Sequence, residues 1–180
     1  MKDINLIVVA HPDDEILGFG ATGAKIVDNG EVVQPIILCG GVNERQRKPS
    51  DEELYSDMIK ANEHLGFSSP ICGEFPNIRM NNVAHIELVR FIEESILKFS
   101  PKRIFTHHPN DLNNDHLQVS RACMAASRIF QRRNQKSPIK SLCFMEIPSA
   151  TDWSYEYTGE GFKPNLYVEV DEYINKKIEA

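Results

Sequence analysis

The 180-residue chain sets 20 lysines and arginines against 26 aspartates and glutamates, a formal net charge of −6, and its isoelectric point lies near 5.5. That balance argues against nucleic-acid binding. The length fits one domain with a sizeable core, and a composition that is 41% hydrophobic excludes a disordered or fibrous chain.

The four cysteines, Cys39, Cys72, Cys123 and Cys143, form no Cys-x-x-Cys pair, so neither a zinc ribbon nor a thioredoxin-like motif is available, and buried reduced thiols are expected. No stretch approaches the roughly 20 apolar residues of a membrane span, and the first apolar run stops at His11-Pro12-Asp13-Asp14-Glu15. These features lead to the expectation of a cytoplasmic protein without a transmembrane segment.

In chain order, Ile4 to Ala10 is an aliphatic run broken only by Asn5, the pattern of a strand buried on both faces of a parallel sheet. Ile16 to Val27 carries apolar residues at helical spacing and stops at Asn29-Gly30, and Val32 to Cys39 supplies a second strand. After the polar loop Gly40 to Ser50, Ser50 and Glu53 have the spacing of a capping box for a helix that runs to Leu65-Gly66. Ile71 to Phe75 is a weaker strand. Ile86, Val89, Ile92, Ile96 and Leu97 form a helical stripe that ends at Ser100-Pro101. Arg103 to Thr106 is a strand that feeds a polar loop from His107 to Asp115. Leu117 to Arg133 then reads as a helix, Ser141 to Ile147 and Leu166 to Val170 as strands, and Asp171 as the start of a last helix. This alternation predicts an α/β fold, a doubly wound and mostly parallel sheet with helices on both faces, in which ligands bind beyond the carboxyl ends of the strands.

Chemistry concentrates at two such ends. His11, Asp13, Asp14 and Glu15 follow the first strand; His107, His108, Asp111, Asn113, Asn114, Asp115 and His116 follow the Arg103 strand. Histidine and carboxylate together suit zinc or another divalent ion, but one tight turn cannot close a tetrahedral site. If the two strands are neighbours, His11, Asp14 and one downstream histidine would give three ligands and leave a position open for water. Asp13 would then be the group that accepts the water's proton. A structural alternative stands beside each feature: Asp13 or Asp14 could cap the following helix, and the downstream histidines could be ordinary turn residues. Arg45, Arg47 and Lys48 form either a solvated loop or a fork for an anionic ligand group. Trp153, Tyr155 and Tyr157 suit packing or an apolar platform for a sugar ring.

Ala10-His11-Pro12-Asp13-Asp14-Glu15 with Ile16-Leu17-Gly18, together with His107-His108-Pro109-Asn110-Asp111-Leu112-Asn113-Asn114-Asp115-His116, resembles the two signatures of the LmbE-like, or PIG-L, deacetylases. Phe75-Pro76-Asn77, Glu146 to Ser154 and Phe162 to Asn165 are similar to the branch associated with bacterial surface polysaccharides. The resemblance covers essentially the whole chain. It implies a Rossmann-like fold and a single domain over residues 1–180. It also implies zinc-dependent removal of acetyl from an N-acetylated amino sugar or its conjugate, with iron(II) or another divalent ion able to share the ligands. By position, His11, Asp14 and His116 match the metal ligands, Asp13 the general base, and Asp115 a carboxylate that would orient a ligand histidine.

Three departures follow. Asn113 stands where many relatives carry a histidine, so the acid role passes to His107 or His108, or to a residue beyond this chain. Gly40 stands where relatives often have an acidic residue. Relatives also continue past the helix that begins at Asp171, so a C-terminal segment is expected to be missing. The expected partner is a small N-acetyl sugar or sugar conjugate, with homo-oligomers allowed. The competing readings are a degenerate member that binds metal and sugar without turnover, and a non-catalytic metal- or nucleotide-binding module. The module is disfavoured, because Gly18-x-Gly20-x-x-Gly23 falls inside the first helix.

Overall fold

Residues 2–41, 50–154 and 161–180 are described by the structure, a computed structural model. Five parallel strands make one sheet in the order β3-β2-β1-β4-β5. They are β1 (Ile4–Val9), β2 (Val32–Ile37), β3 (Ile71–Cys72), β4 (Arg103–His107) and β5 (Ser141–Met145). The helices are α1 (Asp14–Asp28), α2 (Asp51–Leu65), α3 (His85–Phe99), α4 (Asn114–Ala126), α5 (Ile129–Arg132) and α6 (Ile174–Glu179). Strand order reverses between β1 and β4, which lie side by side with Asn5 opposite Arg103 and Val8 opposite Thr106. A crevice therefore opens at the carboxyl ends of these two strands.

The aliphatic run of β1 serves both faces of the sheet. Leu6, Val8 and Ala10 join the core made with α3 and α4, where Leu88, Ile92, Ile96 and Val119 are fully enclosed. Ile7 and Val9 join the core made with α1 and α2, which includes Phe19, Met58, Leu65 and Phe67. Each fully buried aliphatic contributes roughly 1.5–3 kcal/mol. Packing on this scale can hold a locally strained turn at the strand's end. Gly23 is needed where α1 crosses Phe67, because a Cβ there would sit 2.2 Å from the ring. The glycines of α1 thus serve close helix packing.

Several features differ from their sequence expectation: β2, β3 and β5 end at Ile37, Cys72 and Met145, short of the expected Cys39, Phe75 and Ile147. The polar loop begins one residue later, because His107 continues β4 and pairs with Met145 of β5. The helix expected from Leu117 starts at Asn114, since Asn113 caps it by accepting from Asp115 N–H at 2.9 Å, and it breaks before Ile129. Leu166 to Val170 forms no strand: no sheet edge pairs with it, and Lys25 Nζ instead donates to Glu169 O at 2.7 Å. Trp153 is 55% exposed and so is not a packing residue. The capping box is formed, with Ser50 and Glu53 satisfying each other's backbone N–H groups. Among the described residues no helix is long and apolar enough to cross a membrane.

Candidate metal centre

The ends of β1 and β4 are tied by one bond across the crevice, Ala10 N–H to His107 Nε2 at 2.9 Å. The chain then turns sharply. Asp14 opens α1, and its Oδ2 accepts from His11 N–H at 2.9 Å. Asp13 precedes it as the N-cap residue, at φ 122° and ψ −33°, a conformation rarely adopted by a residue with a side chain. Strain of this kind is worth roughly 1–3 kcal/mol and clusters at functional sites.

Asp14 Oδ2 is the hub of a buried cluster. It lies 3.3 Å from His11 Nδ1, 3.3 Å from His116 Nε2 and 3.5 Å from His107 Nε2. Each of the two nearer histidines has a second carboxylate on its other nitrogen. His11 Nε2 lies 3.1 Å from Asp115 Oδ2, and Asp115 is itself pinned by the N–H groups of Ile78 at 2.5 Å and Met80 at 3.0 Å. His116 Nδ1 lies 3.1 Å from Asp111 Oδ1, and Asp111 accepts from Thr151 Oγ1 at 2.7 Å and from Asn113 N–H at 2.8 Å. Carboxylates anchored in this way fix the tautomer and plane of the rings they hold, leaving the opposite nitrogens aimed at Asp14.

Electrostatics sort the three histidines. Burial disfavours the charged ring of His11, but Asp115 and Asp14 outweigh it and raise the pKa to about 9. For His116 burial is likewise overcome, here by Asp111 and Asp14, again to about 9. His107 goes the other way: burial, joined by the neighbouring His116, lowers it to about 3. It is neutral, and the bond from Ala10 assigns its proton to Nδ1. The ring of His107 stacks on that of His116, with centroids 3.9 Å apart and planes 10° from parallel. Asp14 is held well below the usual carboxylate range: burial opposes ionisation, but the surrounding histidines prevail. Burial also raises Glu15 to about 7, against the hydrogen bond from Asn62.

Two sets of ligand atoms lie within 4.8 Å of one another, His11–Asp14–His116 and His107–Asp111–His116. The first fits a divalent cation better. In the second, the Nε2 lone pair of His107 is taken by Ala10 N–H. His116 belongs to both sets, and both of its ring nitrogens are buried without a hydrogen-bond partner among the described residues; its Nε2 faces Asp14 Oδ2 at 3.3 Å. Two imidazoles and one carboxylate are a donor set suited to zinc and its neighbours.

The other sequence candidates are placed less centrally. Asn113 spends its side-chain oxygen on the helix cap. His108 is half-buried beside the rings of Phe144 and Phe162, with centroids 6.2 and 5.2 Å away, and its Nδ1 accepts from Asn110 N–H at 3.3 Å. Burial lowers its pKa. Arg45 lies outside the described residues, as do Arg47, Lys48, Tyr155 and Tyr157. Sequence reasoning assigned no role to Asp111, Thr151 or Asn62. Asn62 carried a readable signal, a polar residue on the inner stripe of α2 between Met58 and Leu65.

The fold and this cluster define a class, a Rossmann-like α/β protein with a buried histidine–carboxylate cluster at its switch point that could hold a divalent cation. Residues 6–127 match the family model described as PIG-L, GlcNAc-PI de-N-acetylase, and the chain belongs to that family of deacetylases. A relative from Escherichia coli (strain K12), the uncharacterized deacetylase YaiS, is 30% identical over 149 residues, 78% of this chain and 77% of that one. Two solved structures share the fold. The N,N'-diacetylchitobiose deacetylase from Pyrococcus horikoshii is 15% identical with a TM-score of 0.75, over 98% of this chain and 67% of that one. GalB, the 4-carboxy-2-hydroxymuconate hydratase from Pseudomonas putida KT2440, is 18% identical with a TM-score of 0.77, over 99% and 77%. A deacetylase and a hydratase on one fold mean that the reaction must be argued from the site.

Proposed function

We infer that the protein is a metal-dependent hydrolase that removes acetyl from an N-acetylated amino sugar or its conjugate. The observation that carries the reading is the convergence of His11 Nδ1 and His116 Nε2 on Asp14 Oδ2, next to a strained aspartate at the mouth of the crevice. Membership of the de-N-acetylase family supports the bond class, and a structural neighbour named for N,N'-diacetylchitobiose supports the substrate class. His11, Asp14 and His116 would hold the ion, with Asp115 and Asp111 fixing the two rings. A bound zinc or similar ion would supply a Lewis acid for the acetyl carbonyl and lower the pKa of a water beside it.

The chain's own groups do the proton work. Asp13, exposed where Asp14 is buried, accepts a proton from the attacking water at a carboxylate oxygen. It then returns that proton to the nitrogen as the C–N bond breaks, so the products are acetic acid and the amine, which become acetate and an ammonium group at neutral pH. With Nδ1 accepting from Asn110, His108 carries its proton on Nε2 and, as a neutral ring, acts as a hydrogen-bond donor to the developing oxyanion. His107 keeps the two strand ends together and packs under His116, so it takes no part in proton transfer. Asn113 sets the start of α4 and with it the position of His116. Arg45 is the proposed contact for an anionic group on the conjugate.

The test is acetate release by zinc-loaded protein from N-acetylglucosamine and from its β-methyl glycoside. Turnover of either is expected. A protein that binds one equivalent of metal and both sugars yet releases no acetate would support the degenerate reading instead.

A further inference from the structure

Around the turn after β1 there is one buried polar pair that neither the ligand set nor the proton path uses: Glu15 and Asn62, both 0% exposed. Glu15 is the second residue of α1, and Asn62 stands on the inner face of α2. Asn62 Nδ2 donates to Glu15 Oε1 at 2.8 Å and to Met58 O at 2.8 Å. The other oxygen of Glu15, Oε2, accepts from Asp13 N–H at 3.1 Å. An unbroken line of hydrogen bonds therefore runs from the middle of α2 to the backbone of Asp13.

Asp13 is the residue that needs such a hold. At φ 122° its backbone sits where a residue with a Cβ stays only when its surroundings over-determine it. Its carbonyl is gripped from one side, accepting from Ile16 N–H at 3.0 Å and Leu17 N–H at 2.9 Å. Its N–H is gripped from the other by Glu15. With both peptide groups fixed, the direction of the Cα–Cβ bond is fixed too, and so is the reach of the carboxylate. Asp13 does not cap α1 with its own side chain. Glu15 reaches back to the N-cap N–H in its place, as the glutamate of a capping box does one residue later in a helix.

A carboxylate and an amide enclosed together are costly to bury, more so because Asn62 Oδ1 has no hydrogen-bond partner among the described residues. An aliphatic pair would fill the same space without that cost. We propose that Asn62, acting through Glu15, is a positioning residue that holds the strained backbone of Asp13 and so aims its carboxylate at the attacking water. This rests on Asp13 being the general base.

The experiment uses the zinc-loaded protein with the β-methyl glycoside of N-acetylglucosamine. Its variants are Asn62→Leu, Asn62→Ser, Glu15→Leu, Glu15→Gln and Asp13→Asn. Serine is too short to reach Glu15 and introduces no bulk, so it carries the comparison if Asn62→Leu does not fold. Both Asn62 variants and Glu15→Leu are expected to lower kcat about ten- to hundredfold, the scale of a small misplacement of a reacting group, with KM and zinc content unchanged. Hydrogen exchange of the 11–17 segment should rise alongside. Glu15→Gln should lose less than Glu15→Leu, because its carbonyl still accepts from Asp13 while its NH2 can meet Asn62 Oδ1 once that amide turns over. In an Asp13→Asn background, changing Asn62 should cost nothing further.

Unchanged kcat in both Asn62 variants, with Asp13→Asn slow, would overturn the positioning role and leave the base in place. An Asn62 loss that persists in full in the Asp13→Asn background would also overturn it. Full activity of Asp13→Asn would remove the reading of the base and this inference together.

Discussion

The two ends of the β1–β4 pair hold polar clusters of opposite design. At the amino ends, Arg103 Nε donates to Asn5 Oδ1 at 2.6 Å and Arg103 Nη2 to Glu31 Oε2 at 2.5 Å, while Asn5 Nδ2 donates to Glu31 Oε2 at 3.0 Å. Each charge there has its opposite and each of these bonds closes on another member. At the carboxyl ends, three imidazoles crowd one carboxylate oxygen, a buried ring nitrogen has no hydrogen-bond partner among the described residues, and an aspartate is strained. A closed set of pairs is what stability needs; a surplus of lone pairs aimed at one point is what a cation needs.

Substitutions can break this contrast. The largest effect is expected at the carboxyl end, where Asp13→Asn should lower the rate of acetate release by about two to four orders of magnitude while keeping the metal. Asp14→Asn should lose the metal itself, since it removes the charge at the hub. Elemental analysis of both purified proteins checks this, and equal metal loss would contradict this division of roles.

At the amino end the expected change is in stability. Arg103→Met should cost about 1–3 kcal/mol in denaturant unfolding, because it strips charged hydrogen bonds from Asn5 and Glu31. Activity per folded molecule should stay at its starting value. A drop in rate without a drop in stability would mean that the two ends are coupled through the strands.

The smallest effect sharpens the comparison with a control outside both clusters. Ser50→Ala removes the side-chain half of the α2 capping box and should cost about 1 kcal/mol with no change in kcat. Thermal melting together with the acetate assay would detect either departure.

Much of this architecture was legible because its causes are local. The β1 run is aliphatic at every position except the buried Asn5, and Ser50 with Glu53 spells its own cap. The Leu166 to Val170 pattern misled, since a run of β-prone residues forms a strand only if a sheet edge is there to receive it. The start of α4 was misplaced by three residues because Asn113 was weighed as a chemical group and not as a cap. At the site, the residues' own pattern left the third ligand open among several histidines. What separates them is the bond from Ala10 that occupies His107, a contact 97 residues apart in sequence that no local pattern encodes. Thr151 was hidden for the same reason: its bond to Asp111, behind His116, depends on the return of the chain after β5.

The account turns on which of the two overlapping ligand sets receives the ion. Anomalous diffraction at the zinc edge from crystals of the zinc-loaded protein addresses it directly. A single peak bounded by His11, Asp14 and His116 is predicted. A peak bounded by His107, Asp111 and His116, which would require the Ala10–His107 bond to break, would contradict it, as would a protein that takes up no zinc at all.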